Sequence, residues 1–199
     1  MKLSAVKLLI AANVVVYLCQ RLFGQGFEDL FALEPLHAGF DQPAFHVWQL
    51  VSYAFLHDPG EIAHILFNML GLWMFGTEIE RYVGPRRLLN CYFASVVTAA
   101  ITQLFIPALF GAAPGATIGA SGGVFGLVLA YAFLFPKRKV IPLIPPIPMP
   151  AWLFAALYAG VELLLGVTGS QAGVAHFAHL GGMIGSGLVI SQWRLRSRA

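Results

Sequence analysis

The chain has 199 residues, of which 58% are hydrophobic and only 11% charged, with a formal net charge of +3. Soluble domains of this size carry about 25% charged residues, so this chain has too few to cover a water-facing surface. The composition excludes a soluble enzyme, a secreted disulfide scaffold and a disordered tail. It predicts an integral membrane protein in which residues 1–199 form a single domain.

Six apolar stretches are candidates for membrane-spanning helices. They cover residues 5–23, 62–79, 88–110, 121–135, 150–167 and 174–193. A spanning helix needs about 20 mainly apolar residues, so the fourth stretch is short. The sequence therefore predicts an all-α membrane protein, a bundle of six transmembrane helices with a short central helix. The first stretch is interpreted as a retained helix rather than a cleaved signal peptide.

Lysine and arginine residues cluster at one set of helix ends. With a cytoplasmic N-terminus, eleven of the twelve lie inside and Arg21 alone lies outside. Basic residues are retained on the cytoplasmic side, which supports six spans with both termini in the cytoplasm. Because these residues sit at the ends of apolar stretches, they do not form a face that would bind nucleic acid.

The connections between the stretches differ in character. Residues 24–61 mix aromatic side chains, acids and prolines, which favours a loop folded into the membrane interface. The segment Pro136 to Pro150 holds six prolines, so it is not helical throughout, and we interpret it as a cytoplasmic connection. The two cysteines, Cys19 and Cys91, are expected near opposite membrane faces as free thiols.

Three places break the apolar pattern, and the first is Ser121 in the run Gly119-Ala120-Ser121-Gly122-Gly123-Val124-Phe125-Gly126. The uncharged stretch before it descends into the membrane only where it is buried in protein or lines a water cavity. Ser121 then opens the fourth helix inside the bilayer, where unpaired backbone N–H groups suit an oxyanion beside a nucleophile. The alternative is a helix cap, beside packing glycines at Gly122 and Gly126.

The second place is His179, which follows His176 by three residues and precedes a glycine-rich run. A neutral imidazole is a suitable general base near neutral pH. Gly181, Gly182 and Gly185 permit close approach to a neighbouring helix, for which the start of the fourth helix is the natural counterpart. Two zinc ligands are the alternative for the histidine pair, although no carboxylate or thiolate cluster is evident to complete a site. His176 alone is interpreted as an interfacial histidine.

The third place is His64-Ile65-Leu66-Phe67-Asn68 in the second stretch. The spacing of four puts His64 and Asn68 on one helical face, where their donors point at one buried atom or simply bridge helices. With Ser121 and His179 they make a set of nucleophile, base and two donors for developing negative charge.

These three motifs, in this order, resemble the rhomboid family of intramembrane serine proteases over about residues 5–193. The resemblance implies a dyad, with Ser121 as nucleophile and His179 as general base and acid. It implies an oxyanion hole made by His64, Asn68 and the Ser121 backbone N–H, aided by the Gly119 backbone. Phe125 matches the aromatic position that packs against the imidazole, and Gly122, Gly126 and Gly182 are expected to support the site. The run from Gly76 to Gly84 resembles the family's polar cap at the inner end of the second helix.

Two positions depart from the family pattern. Gln49 stands after Trp48 where the family often has arginine, which puts the anchoring of the first outer loop in doubt. Glu162, an acid in the fifth stretch, has no assigned role and is interpreted as solvated at the interface. The absence of an acid as a third member is compatible with the chemistry, since helix packing can orient the imidazole.

The resemblance implies an intramembrane serine endopeptidase that cleaves transmembrane protein substrates within the lipid bilayer. It implies no metal, nucleotide or redox cofactor and no nucleic-acid partner. A minimal bacterial form in the inner membrane is expected, with either the loop before Ser121 or the 168–175 connection moving to admit substrate. A catalytically silent rhomboid-like binding or quality-control protein is the main alternative; a transporter and a metal-binding membrane protein are further ones.

Overall fold

The computed structural model describes residues 4–36, 43–110, 115–143, 145–170 and 174–196. Helices dominate these residues. They are α1 (Ala5–Phe23), α2 (Gln25–Phe31), α3 (Gln49–Ser52) with a 3₁₀ turn (Tyr53–Phe55), α4 (Ile62–Gly71), α5 (Thr77–Val83), α6 (Pro85–Leu109), α7 (Ser121–Leu134), α8 (Ala151–Thr168) and α9 (His176–Arg196). A π-helical segment, Leu72–Gly76, joins α4 to α5 without a break.

Four helices of the described chain are long and apolar enough to cross a membrane. They are Ala5–Phe23, Ile62–Val83, Pro85–Pro107 and Ala151–Thr168. The 14 residues of α7 reach only about 21 Å at 1.5 Å per residue, which is less than a bilayer core of about 30 Å. The structure therefore has a multi-helix membrane architecture, and the count of six spans stays a prediction.

The short helix α7 occupies the middle of the bundle. It packs against α6, α8 and α9, and α6 and α9 also pack against each other. Its buried residues, which include Leu127, Val128 and Ala130, lie on all sides of the helix. A helix that is apolar all round is stable only when neighbours cover it, and this arrangement places the first residue of α7 inside the protein.

The connection between α1 and α4 packs against α6 through α3, and Gln49 ties its two halves together. Its place in the membrane interface stays a prediction. Gln49 is fully buried, and its Oε1 accepts from the backbone N–H groups of Glu34 (3.3 Å) and His46 (3.0 Å). Its Nε2 donates to the carbonyl of Leu30 at 3.3 Å. The doubt about loop anchoring without arginine is therefore corrected, because the amide bonds both sides of the loop. Phe40 and Asp41 of this connection lie outside the described residues.

The connection between α7 and α8 is not helical throughout, as predicted, and it contains a short two-stranded antiparallel hairpin that the sequence analysis did not predict. Strand β1 (Lys139–Val140) pairs with β2 (Met149–Pro150), with Lys139 opposite Pro150 and Val140 opposite Met149. Prolines exclude a continuous helix here, and the two chain ends pair instead. Arg138 pairs with Glu78 and so ties this connection to α5.

Glu80 of α5 caps the N-terminus of α1. Its carboxylate accepts from the Ser4 hydroxyl (2.7 Å) and from the backbone N–H groups of Ala5 (2.8 Å) and Val6 (3.1 Å). The first N–H groups of a helix have no partner within the helix, so a carboxylate there both bonds them and complements the helix dipole. The polar run at the C-terminal end of the second candidate span thus holds the N-terminus of the first.

Both cysteines are free, as predicted, with Cys91 buried and Cys19 partly buried. Two of the basic residues assigned to the inside, Lys2 and Arg198, lie outside the described residues.

Candidate active site

Ser121 and His179 meet at the centre of the bundle. The Ser121 Oγ lies 2.8 Å from Nε2 of His179, a normal hydrogen-bond distance between a hydroxyl and an imidazole. Ser121 is the first residue of α7, and His179 lies in the first turn of α9. The predicted contact between these side chains is confirmed, and their catalytic roles stay a prediction.

Glycines allow α7 and α9 to approach closely enough for this contact. A Cβ atom on Gly182 would lie 3.1 Å from the Cα of Gly122 and nearer still to its carbonyl. A Cβ on Gly126 would lie 2.8 Å from the carbonyl oxygen of Gly182 and would also meet Ser95 of α6. The three glycines predicted to support the site therefore lie at the crossing of the two helices.

Gly181 and Gly185 of α9 contact a different helix from the one expected. A Cβ atom on Gly181 would meet Thr102 of α6, and one on Gly185 would meet Thr98 of the same helix, so neither glycine faces α7. The reason is helical geometry, because the three positions 181, 182 and 185 do not share one face. Close packing of α9 is thus divided between α6 and α7.

Phe125 stacks on the imidazole, in agreement with the expected packing. The ring centroids of Phe125 and His179 are 4.2 Å apart, and the ring planes differ by 4°. Phe125 is one turn beyond Ser121 on α7, so the same helix supplies the hydroxyl and the ring that limits the tilt of the imidazole.

The chain enters α7 through a segment bonded to the first connection. Leu33 and Thr117 exchange two backbone hydrogen bonds, of 2.9 and 3.0 Å, and the Gly119 N–H donates to the carbonyl of Tyr53 at 3.0 Å. These bonds satisfy polar backbone that would otherwise be unpaired inside a membrane protein. The earlier part of the glycine-rich run, residues 111–114, lies outside the described residues.

The expected contribution of the Gly119 backbone to an oxyanion hole is corrected by this pairing. Its N–H already donates to the carbonyl oxygen of Tyr53, so it is not free to donate to an oxyanion. The glycine is needed for space and for conformation instead. Its φ is 126°, and a Cβ there would lie 2.9 Å from Nε2 of His64.

His64 presents a donor to the site. Its Nδ1 accepts the backbone N–H of Asp58 at 3.2 Å. A backbone N–H can only donate, so a neutral His64 carries its proton on Nε2, the nitrogen beside Gly119. The Ser121 backbone N–H, at the first position of α7, is the second donor, since it has no acceptor within the helix.

Asn68 lies one turn behind His64 and is bonded within its own helix. Its Nδ2 donates to the His64 carbonyl at 2.9 Å, and its side chain is buried. Asn68 does not line the cavity beside Ser121, whereas His64 does. The structure thus brings three of the four motif residues to the cavity, with Asn68 behind them.

Glu162 and His176 are placed differently from the expectation. Both were interpreted as interfacial, yet they are only 8% and 5% exposed. The Glu162 Oε2 lies 2.7 Å from Nδ1 of His176 and 2.8 Å from Nδ1 of His179. The statement that no carboxylate joins the histidines is therefore wrong. The sequence did contain a signal for this contact. An unpaired acid in an apolar helix is costly, so Glu162 should have been expected to have a nearby partner.

A cavity of about 800 Å³ adjoins the hydroxyl and the imidazole. Among its lining residues are Ser121, His179, His64, Asp58, Glu61 and Gln103. A cavity with these polar groups is large enough for several water molecules and for a segment of peptide. Hydrolysis of a peptide bond needs both water and the peptide segment beside the nucleophile.

The chain matches the rhomboid domain model over residues 44–197. It is 33% identical over 141 residues to "Rhomboid protein 1, mitochondrial" of Saccharomyces cerevisiae, covering 67% of this chain and 38% of that protein. It is 32% identical over 190 residues to "RHOMBOID-like protein 12, mitochondrial" of Arabidopsis thaliana, covering 87% of this chain and 54% of the relative.

A bacterial relative is matched over more of its length. The chain is 29% identical over 181 residues to "Rhomboid protease GlpG" of Haemophilus influenzae, covering 89% of this chain and 84% of that protein. The two mitochondrial relatives are longer, and the chain spans less than two thirds of each. The family model covers well over half of the chain, and the motif residues of α4, α7 and α9 all lie inside the match. This multi-helix membrane protein belongs to the rhomboid family.

Proposed function

We propose that this protein is an intramembrane serine endopeptidase that cleaves peptide bonds in or near the transmembrane segments of other membrane proteins. The observation that carries the proposal is the 2.8 Å contact between the Ser121 hydroxyl and Nε2 of His179 beside a polar cavity. A catalytically silent relative remains the alternative, but no contact in the described chain favours it over a hydrolase.

The first half of the reaction forms an acyl-enzyme. The Ser121 Oγ attacks the substrate carbonyl carbon while His179 Nε2 takes the hydroxyl proton. The carbonyl electron pair moves to oxygen, and the Nε2–H of His64 and the backbone N–H of Ser121 donate to that oxyanion. The carbon–nitrogen bond then breaks, and His179 returns the proton to the leaving amine.

The second half releases the acid product. A water molecule from the cavity attacks the ester, His179 takes its proton, and the proton passes to Ser121 Oγ as the ester bond breaks. In this scheme Asn68 acts from behind His64, holding that turn of α4 through its bond to the His64 carbonyl. None of these steps uses a metal, a nucleotide or a redox cofactor.

The substrate is a transmembrane segment that enters from the lipid and unwinds near its outer end. Unwinding is needed because a helical backbone uses its carbonyls in internal hydrogen bonds. Small or helix-breaking residues in the substrate therefore assist cleavage. Either the loop before Ser121 or the 168–175 connection moves to admit substrate, since Thr117 and Ser170 both line the cavity. Residues 171–173 of the 168–175 connection lie outside the described chain.

The proposal includes topology and location. Six spans are proposed from the apolar stretches and a single domain over residues 1–199 from the length of the chain. The positions of the basic residues place both termini in the cytoplasm, with the cavity opening outward. A bacterial inner membrane is the proposed location, supported by the relative from Haemophilus influenzae, although two other relatives are mitochondrial.

The test compares Ser121→Ala with the parent in cleavage of a reporter protein with one transmembrane segment. Ser191→Ala is the matched control, because Ser191 is an exposed serine that bonds only within its own helix. We expect Ser121→Ala to be inactive but folded, and Ser191→Ala to be fully active. A fluorophosphonate should label the parent and not Ser121→Ala. Full cleavage by folded Ser121→Ala would reject the proposed function.

A further inference from the structure

The buried carboxylate of Glu162 has no part in the dyad mechanism, yet it contacts the imidazole of that dyad. It reaches from α8 to two histidines of α9, and its Oε2 lies 2.7 Å from His176 Nδ1 and 2.8 Å from His179 Nδ1. Both separations are typical of charge-assisted hydrogen bonds. All three residues are less than a tenth exposed.

The partners of His176 determine where protons lie in this cluster. Its Nε2 lies 3.2 Å from the carbonyl oxygen of Ser170, which only accepts, so Nε2 carries a proton. His176 Nδ1 then either donates to an ionised Glu162 or accepts from a protonated one. Both arrangements give the Glu162–His176 pair a summed charge of zero, which reduces the cost of burying the acid.

The partners of His179 fix its tautomer. To receive the Ser121 proton, Nε2 must be unprotonated, so the neutral ring carries its proton on Nδ1. Either arrangement of the Glu162–His176 pair leaves Oε2 with a lone pair to accept that Nδ1–H. The carboxylate oxygen therefore holds the imidazole in the tautomer and the orientation that the reaction needs.

We propose that Ser121, His179 and Glu162 form a triad, in which Glu162 is a positioning residue and His176 holds Glu162. This inference rests on the proposed protease function. When His179 takes the hydroxyl proton it becomes a cation, and Glu162 Oε2 at 2.8 Å stabilises that charge while keeping its own protonation state. His176 supplies the second hydrogen bond that prevents the carboxylate from turning away.

The same three side chains also have the composition of a metal site, since their ligand atoms lie within 4.8 Å of one another. Zinc bonds of about 2.0–2.1 Å in a tetrahedron separate neighbouring ligand atoms by roughly 3.3 Å. The distances from Glu162 Oε2 to the two histidine Nδ1 atoms, 2.7 and 2.8 Å, are shorter than this and are typical of hydrogen bonds. Hydrogen bonding is therefore the arrangement that the geometry supports.

The first experiment measures cleavage kinetics of Glu162→Gln. Glutamine keeps the size of the side chain, but it cannot become a carboxylate, and its amide NH₂ group can turn towards Nδ1 of His179 and favour the wrong tautomer. We expect kcat to fall about 10²- to 10⁴-fold while KM changes less than about 3-fold, in line with loss of a triad acid. Glu78→Gln is the control, because that carboxylate pairs with Arg81 and Arg138 away from the site and should leave kcat unchanged.

The main measurement of the second experiment is made on the parent protein, so it does not depend on the folding of a variant. In ¹⁵N-histidine-labelled protein, the proton on His179 Nδ1 should give a far-downfield resonance typical of a hydrogen bond to a carboxylate. Ser121→Ala should retain this resonance. His176→Gln should shift it and lower kcat by about 3- to 30-fold, because Glu162 loses one of two bonds.

The outcomes separate the two proposals. If Ser121→Ala is inactive but folded Glu162→Gln keeps full kcat, the triad is overturned and the protease function stands. If Ser121→Ala keeps full activity, both the protease function and the triad are rejected. Absence of the downfield resonance from the parent overturns the triad even if Glu162→Gln fails to fold. Stoichiometric zinc in purified parent protein, lost in His176→Gln, would also overturn it in favour of a metal site.

Discussion

Gly182 of α9 packs directly against the backbone of Gly122 of α7, with no space between them for a side chain. Gly122 follows Ser121, and Gly182 lies three residues after His179. The spacing between the two helix backbones at this crossing therefore sets the distance between hydroxyl and imidazole. Close approach of membrane helices through small residues is a general packing mode, and here it positions the reacting groups.

Gly182→Ala should separate α7 from α9 near Ser121 and His179. A methyl group there meets backbone atoms, which cannot rotate away, so we expect a loss of stability of about 1–3 kcal/mol from overpacking. Cleavage should fall more than 100-fold, since a displacement of about 1 Å at reacting groups costs about that much. Thermal unfolding in detergent and the reporter cleavage assay measure the two effects.

Gly187→Ala is the control within the same helix. A Cβ on Gly187 would lie 3.5 Å from Cδ2 of Leu129, an ordinary van der Waals distance. Stability and cleavage should stay near the parent values. Equal effects of the two substitutions would contradict the role given to the crossing.

His64 and Asn68 should contribute unequally to catalysis. His64 lines the cavity and presents a donor, so His64→Ala should lower kcat by about 10²- to 10³-fold, equal to about 2.7–4 kcal/mol. Asn68 bonds the His64 carbonyl and acts indirectly, so Asn68→Ala should cost less and never abolish cleavage. Single-turnover acylation rates measure both, and a larger loss for Asn68→Ala would show that the amide itself faces the oxyanion.

Gln49→Ala should loosen the first connection without unfolding the bundle. The substitution leaves the buried N–H of Glu34 without an acceptor, at a cost of about 1–3 kcal/mol, and removes the acceptor of the part-buried N–H of His46. We expect faster proteolysis between α2 and α3 and reduced stability. Gln25→Ala is the control, because Gln25 is exposed and its side chain bonds only Asp29. Unchanged proteolysis of Gln49→Ala would show that other contacts hold the loop.

His57 should make the stability of the first connection depend on pH. Its ring is fully buried beside His64, and desolvation lowers the pKa of His57 from 6.5 to about 4. A depressed histidine pKa means that the unfolded chain binds the proton first, so stability is full above pH 6.5 and falls as the pH decreases towards 4. The total is about 3 kcal/mol for a shift of this size.

His57→Gln is the comparison that isolates this effect. The difference in unfolding free energy between parent and variant, measured by denaturant titration from pH 7.5 to 4.5, should decrease as the pH falls. Burial raises the pKa of Glu28 and Glu34 in the same connection, which acts in the opposite direction but is common to both proteins. A difference that does not vary with pH would contradict the prediction.

The local chemistry of the site was readable from the sequence because it depends on residue type and short spacing. Ser121 follows a glycine-rich run and begins a helix, as predicted, and the i, i+4 spacing of His64 and Asn68 places them in adjacent turns. The packing of Phe125 on the imidazole was implied by the family resemblance, and the close approach at Gly182 was predicted from the glycine-rich run after His179.

The misplacements concern contacts between distant segments. Nothing in the spacing of Glu162 shows that α8 turns its acid towards α9 rather than towards the interface. The partner of the Gly119 N–H is Tyr53, which is far away in sequence and belongs to a connection of irregular structure. Gln49 likewise bonds backbone groups that only the folded loop brings together.

The sequence by itself determined that this chain is a membrane protein and which residues break its apolar pattern, because composition reflects the surrounding lipid and residue spacing reflects backbone geometry. The family was indicated separately, by the resemblance of three motifs in order. The tertiary structure decided which of those polar groups form hydrogen bonds with one another. Packing of α8 against α9 brings Glu162 to both histidines, and a buried acid is stable only where such partners surround it.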